Sequence, residues 1–304
     1  MEIDRKALKE QAKDALELAR PRGWTVALLY IFMTTGVSVL LSLIPLPVDP
    51  ETGLSSPALF LNILYSMYGT VVGFGLVLWA LWVGRRLSAG ASALTQGFSV
   101  AGRVIVMNVL IFLRVVGWTA LFYLGYLILL SSALMLFPLL SPGAAALLVL
   151  LSYGVFFGFY VSVILRYALA PYLLADHPDD GPSAAIRRSV SLMWGWKWEL
   201  FKLDLSFLNW QIPISLLSLA GLAACLWYFD FFLLPLPSTL EEAMTTGVYF
   251  AAVSSHPLTV LVMTLIPLPL SLKFLPYREV TLAGFYDARL QAPSGSDLPM
   301  MPPV

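Results

Sequence analysis

Six apolar blocks long enough to cross a bilayer alternate with connections that carry basic residues on every second turn of the chain only. A hydrocarbon core about 30 Å thick needs ~20 helical residues at 1.5 Å rise. The blocks are Trp24–Ile44, closed by Pro45 and Pro47, and Ala58–Gly84, then a crossing near Val115–Phe137. An interfacial helix starting at Val104 and carrying Arg114 is expected before that third crossing. The remaining blocks are Gly143–Leu165, Leu203–Tyr228 and His256–Leu275, the last with Pro267 and Pro269 inside it. Continuous apolar runs without two-residue alternation predict α-helices rather than barrel strands, since a helix satisfies its own backbone groups in lipid. With 59% hydrophobic and 12% charged residues over 304 positions, there is too little polar surface to cover a water-soluble globule. The expected fold class is all-α: a polytopic membrane helical bundle of six transmembrane helices plus cytoplasmic interfacial amphipathic helices.

The charges set the expected topology. Lys and Arg occupy the N-terminal segment (Arg5 to Arg22), the second connection (Arg85, Arg86, Arg103), the fourth (Arg166, Arg187, Arg188, Lys197) and the C-terminal end (Lys273, Arg278, Arg289). The alternate connections, 45–57, 138–142 and 229–255, contain none. The positive-inside rule then places both termini in the cytoplasm. Met1–Arg22 mixes charges of both signs and has no apolar core, so the first span is expected to act as an uncleaved anchor. The chain divides into an N-terminal amphipathic helix (1–23), a six-span domain (24–290) and a Pro/Ser/Met-rich tail (291–304) expected to be disordered.

Three segments have amphipathic spacing. Ile3, Ala7, Leu8, Ala12, Ala15, Leu16 and Ala19 form one stripe; Leu87, Leu94, Phe98 and Ala101 form a second. In the third, Ile186, Val190, Met193 and Trp194 oppose Arg187 and Ser191. Each is expected to lie in the inner headgroup layer, with basic residues near anionic lipid. Trp79, Trp82, Trp194, Trp196 and Trp198 fall at the expected cytoplasmic boundaries, where indoles sit with one edge wet. Candidate headgroup contacts are therefore Arg187, Arg188, Trp194, Trp196 and Trp198. The pairs Gly69/Gly73 and Gly154/Gly158 have the spacing that lets helix backbones approach closely, although glycine is common in membrane helices generally.

Arg166–Trp210 reads RYALAPYLLADHPDDGPSAAIRRSVSLMWGWKWELFKLDLSFLNW, and Leu275–Leu290 reads LPYREVTLAGFYDARL. These elements resemble the bacterial integral membrane proteins of the domain of unknown function 975 family. The matching positions are Asp176 and Pro178; Ser189, Leu192, Met193 and Gly195; Phe201, Ser206, Phe207 and Trp210; and Pro276, Tyr277, Phe285 and Tyr286. The approach to Pro276, PLPLSLKF, departs from the glycine-rich, Trp-containing family pattern. The resemblance implies a polytopic fold in the bacterial cytoplasmic membrane, related to the membrane domains of some glycerophosphodiester phosphodiesterases, and no known activity. Physically, Pro276 is expected to break the last helix, leaving 277–286 as an interfacial continuation.

No reaction centre is legible. The two histidines, His177 and His256, fall on opposite expected sides of the membrane, the lone Cys225 excludes an internal disulfide, and no phosphate-binding glycine loop occurs. No catalytic residue, metal ligand or cofactor is therefore expected; the Asp176/Asp179/Asp180 cluster reads as a solvated turn. The feature left is charge at membrane depth: Arg114, Lys202, Asp204 and Asn209 form a candidate intramembrane polar cluster, with Arg114 expected to pair with Asp204 unless it snorkels to the headgroups. The expected function is a non-catalytic protein that organises lipid or a partner at the inner leaflet. The alternative is a small transporter or export component with a polar path near the third, fifth and sixth helices. Membrane lipids and a membrane protein are the expected partners, with no nucleic acid.

Overall fold

The computed structural model describes residues 4–44, 56–136, 141–235 and 237–291, and every regular element among them is helical. The tail expected to be disordered lies, apart from Gln291, outside the described residues. The protein is a multi-pass membrane protein. Among the described residues five helices are long and apolar enough to cross a bilayer, and a bent helix pair adds a sixth crossing if its two arms form one span. Four of the five bury only 6–17% of their most apolar window, so their large apolar side chains face outward and require hydrocarbon as solvent. The chain forms two compact units, one from residues up to Ala101 with Leu203–Asp287, the other from Gly102–Lys202 with the chain from Ala288 onward.

The first unit opens with α1 (Arg5–Leu18), started by the Asp4 carboxylate, which accepts from the N–H groups of Lys6 (2.9 Å) and Ala7 (3.2 Å). Its apolar stripe is real, but the protein itself covers it. Leu8, Ala12 and Ala15 are buried, and the Leu8 side chain reaches within 3.4 Å of a Cβ built on Gly284. The first span, Gly23–Ser42, consists of α2 (Gly23–Ile31), a π-helical segment (Phe32–Gly36) and α3 (Val37–Ser42). The π register frees carbonyls, and tyrosines of the next helix take them: Tyr68 Oη donates to Met33 O (3.0 Å) and Tyr65 Oη to Thr34 O (3.2 Å). That helix, α4 (Ser56–Gly84), buries 56% of its apolar window and is the axis of the unit.

A short helix, α5 (Ala93–Gln96), and a 3-10 turn (Gly97–Val100) press onto α4 backbone to backbone. A Cβ on Gly75 would stand 2.4 Å from Leu94 O, and one on Gly97 would stand 2.5 Å from Val71 O. The close approach therefore occurs here and not at the expected pairs. Among the described residues nothing lies within 4 Å of a Cβ on Gly69, Gly154 or Gly158, and Gly73 meets only the Tyr30 hydroxyl at 4.0 Å. The second amphipathic stripe is corrected by the same contact: Ala89, Ala93, Leu94 and Gly97 are buried, while Leu87 and Phe98 face outward. Trp79, expected as an interfacial anchor, is fully buried, because its face of α4 is the packed one.

The C-terminal half of this unit departs most from expectation. Helix α11 (Leu208–Tyr228) is the expected fifth span. The connection that follows, expected to be an external loop, contains α12 (Leu240–Ser255), capped by Thr239, whose Oγ1 accepts from Glu242 N (3.2 Å). It joins α13 (Pro257–Leu265) at a 59° bend, because Pro257 has no N–H and holds His256 extended. The expected His256–Leu275 block is thus divided, with α13 ending at Leu265, and the bent pair supplies the sixth crossing only if its two arms form one span. Helix α13 packs on α11, with Ser218 Oγ donating to Met263 O (3.3 Å) and Gly221 admitting Val262 and Met263. The chain turns again at Pro267 into α14 (Leu268–Gln291), which continues through Pro276 instead of breaking there. Pro276 costs one helical hydrogen bond but is buried against Gly23, where its Cβ would meet a glycine Cβ at 3.1 Å.

In the second unit, α6 (Ala101–Leu136) is one continuous helix of 36 residues, so no separate interfacial helix precedes the third crossing. Neither proline nor a capping signal interrupts it, and Asn108 returns its amide to Val104 O (2.9 Å). The fourth span is α7 (Pro142–Leu165), followed by α8 (Ala170–Asp176), a 3-10 turn at Pro178–Asp180 and α9 (Pro182–Leu192). Gly181, at φ +81°, makes the turn between the last two, a backbone region that favours glycine. Helix α10 (Lys197–Leu205) then carries the chain back to the first unit.

Candidate functional site

In the first unit, polar and aromatic side chains converge where α1, the start of α11 and α14 meet. Arg278 lies between two carboxylates, donating from Nη1 to Glu279 (2.9 Å) and from Nη2 to Asp204 (3.2 Å). Asp204 takes Arg278 within its own unit, while Arg114, its expected partner, lies half-buried on α6 of the second unit. Burial pushes the Glu279 carboxyl above the usual carboxylate range and the nearby Asp204 charge adds to this, while Arg278 opposes it. One guanidinium between two carboxylates leaves a net negative charge that a proton on Glu279 removes. The Tyr30 hydroxyl on α2 lies within electrostatic reach of Glu279 and of Tyr65.

Beside this cluster the family residues assemble. Phe207 is fully buried, edge-on to Tyr277 (centroids 5.5 Å apart) and Phe274 (5.9 Å), and Trp210 stacks near Phe274. Lys9 of α1 donates to Ser206 O (2.9 Å) while its ammonium sits 4.3 Å above the Phe207 ring. Burial lowers the Lys9 pKa, with Lys13 and Arg5 adding to it. Pro276 anchors the same helix as Tyr277, and Phe285 and Tyr286 are buried further along it. Asn209, by contrast, is exposed, and Lys202 pairs with Glu199 one turn back on α10.

In the second unit, Ser189 is buried and donates to Arg166 O (2.9 Å), while the Arg166 guanidinium lies over Trp118 of α6 (5.2 Å). Arg289, near the end of α14, donates twice to Leu192 O (3.1 and 2.9 Å) and covers the Trp196 ring at 4.4 Å. Met193 is fully buried, and Gly195, at φ +77°, turns the chain from α9 into α10. Asp176 and Pro178 flank the turn after α8, and the Asp179 carboxylate accepts from Arg103 (3.4 Å) at the surface. Of the expected headgroup contacts, Arg187 and Arg188 are exposed, as are Trp194 (80%) and Trp198 (62%), whereas Trp196 is held by Arg289. Sequence reasoning missed Arg278, Glu279, Arg289 and Lys9. The one available signal was adjacency, since Arg278 and Glu279 directly follow the Pro276–Tyr277 motif.

Among the described residues no three His, Cys, Asp or Glu side chains converge. His256 caps α13, its Nδ1 accepting from Leu258 N (3.2 Å), and His177 closes α8. No curated protein and no solved structure matches the chain. A family model described as protein of unknown function (DUF975) matches residues 1–292 of the 304, and the chain belongs to that family.

Proposed function

We propose that this is a non-catalytic protein of the bacterial cytoplasmic membrane, with both termini in the cytoplasm, that organises lipids or a membrane partner protein at the inner leaflet. The observation that carries the reading is the surface of α9 and α10. Trp194 and Trp198 are left exposed on the same stretch of chain as the exposed Arg187 and Arg188. Exposed indoles and guanidinium groups on one short stretch match the chemistry of a headgroup layer, where the ring is half-solvated and the cation meets phosphate. The orientation rests on Lys and Arg being absent from the connections at 45–57, 138–142 and 229–255.

The test is native mass spectrometry of the protein released from lipid nanodiscs, scoring retained lipids and co-purifying proteins. Wild type is expected to retain one or the other, and a Trp194→Ala/Trp198→Ala variant to retain less. Retention of neither by wild type refutes the reading. Transport is the second reading, favoured by a cavity of about 290 Å³ whose lining is half polar (Ser38, Ser42, Asn62, Tyr65 and Ser255). Cysteine labelling that traced a water-accessible passage from this cavity to Asp204 would put transport first.

A further inference from the structure

Two cavities of the first unit lie end to end on one pair of helices. One is a cleft of about 420 Å³ whose lining includes Arg20, Arg22, Lys273 and Glu17 together with Trp24 and Leu272. The other is an apolar groove of about 580 Å³ that runs from Leu28 to Leu40 along the first span and is closed by Leu261, Leu265 and Leu268. Trp24 of the cleft and Leu28 of the groove are one turn, about 6 Å, apart along the first span, as are Leu272 of the cleft and Leu268 of the groove along α14. The groove contains no charged side chain, and its length along the first span is ~18 Å, enough for most of a lipid acyl chain. The hydroxyls of Thr264 and Tyr68 that border it are already satisfied by Val260 O and Met33 O.

We infer that these cavities form a single site for an anionic phospholipid, with its phosphate in the cleft and one acyl chain in the groove. The occupant follows from physical chemistry. A bilayer gives an acyl chain no hydrophobic gain on leaving bulk lipid for a groove, so the headgroup must supply the selectivity. Three cations against one carboxylate leave the cleft two charges positive, complementary to a phosphodiester. Arg22 and Lys273 are exposed and have no ion-pair partner among the described residues, while Nη1 of Arg20 is held by the carbonyls of Glu17 and Ala19. The arrangement sits at the basic end of the first span, where the lipid phosphates of that leaflet lie. It deepens the proposed function by naming the lipid class, and it uses residues other than the Trp194/Trp198 surface.

The test compares wild type with an Arg22→Gln/Lys273→Gln variant and with Gly36→Phe, which fills the groove at a position where an added Cβ meets only the Phe32 ring at 3.8 Å. Each is reconstituted into nanodiscs of phosphatidylglycerol and phosphatidylethanolamine, extracted into detergent and weighed by native mass spectrometry, with thermal midpoints confirming folding. Wild type is expected to retain one phosphatidylglycerol in preference to phosphatidylethanolamine, and each variant about tenfold less. Equal retention of the two lipids by wild type, undiminished retention by the folded charge variant, or a second copy of the chain in place of lipid overturns the site. If the cleft variants behave as wild type while Trp194→Ala/Trp198→Ala still loses lipid, this inference alone fails. If wild type retains no lipid and no partner, the proposed function fails as well.

Discussion

Replacing Gly75 by alanine adds one methyl group, and the structure fixes where it must go. The new Cβ would stand 2.4 Å from Leu94 O, 2.6 Å from Leu94 Cα and 2.7 Å from its carbonyl carbon. All three are backbone atoms, so no rotamer change relieves the contact, and α5 must move off α4. Overpacking of this kind costs up to about 3 kcal/mol, against which alanine recovers ~0.5–1 kcal/mol of helix propensity. The net expectation is a loss of about 2 kcal/mol. Gly69→Ala on the same helix meets nothing within 4 Å among the described residues and is expected to gain ~0.5–1 kcal/mol. The two variants should therefore differ by about 3 kcal/mol, roughly a hundredfold in the unfolding equilibrium. Equilibrium unfolding in mixed micelles titrated with SDS, followed by tryptophan fluorescence, measures this difference. If Gly75→Ala resists SDS as well as Gly69→Ala does, the backbone contact between α4 and α5 is wrong.

Three further outcomes are expected. The Glu279 carboxyl is raised above its unfolded value, so folding takes up a proton and this group's contribution to stability falls as pH rises from the unfolded carboxylate range through the folded value. Glu279→Gln should therefore flatten the pH dependence of the thermal midpoint above the usual carboxylate range of about pH 4, and an unchanged slope would contradict the assignment. Asp204→Asn should cost about 0.5–1 kcal/mol by loosening Arg278, a pair roughly one-third exposed, while Arg114→Leu changes SDS resistance by less; the reverse order would favour the Arg114–Asp204 pairing. Arg289→Lys keeps the charge but loses the paired donation to Leu192 O and the planar stack on Trp196, for about 1–2 kcal/mol, and should deshield the Trp196 fluorescence.

Much of the fold was legible because each apolar block must close its own backbone hydrogen bonds in lipid, which a run of adjacent residues is enough to decide. The first, second, fourth and fifth spans lie within a few residues of the apolar blocks, and the α1 stripe packs as its spacing requires. The candidate site was half legible. Phe207 and Tyr277 were singled out and do meet, as was Asp204, but the cation that Asp204 takes, Arg278, read only as one of the basic residues near the C-terminus. Glycine spacing misled for a related reason. Gly69/Gly73 and Gly75 look alike on a helix, and only the neighbour across the groove tells which one a backbone approaches.

Composition and periodicity alone determined that this chain is helical and that lipid is the solvent for most of it, because hydrocarbon offers no partner to an unpaired N–H or C=O. Residues distant in sequence decided the rest: the bend at Pro257, the unbroken helix through Pro276, and the carboxylates that Arg278 serves. These depend on which side chains meet across helices, and a proline or an arginine has no fixed role until its neighbours are in place.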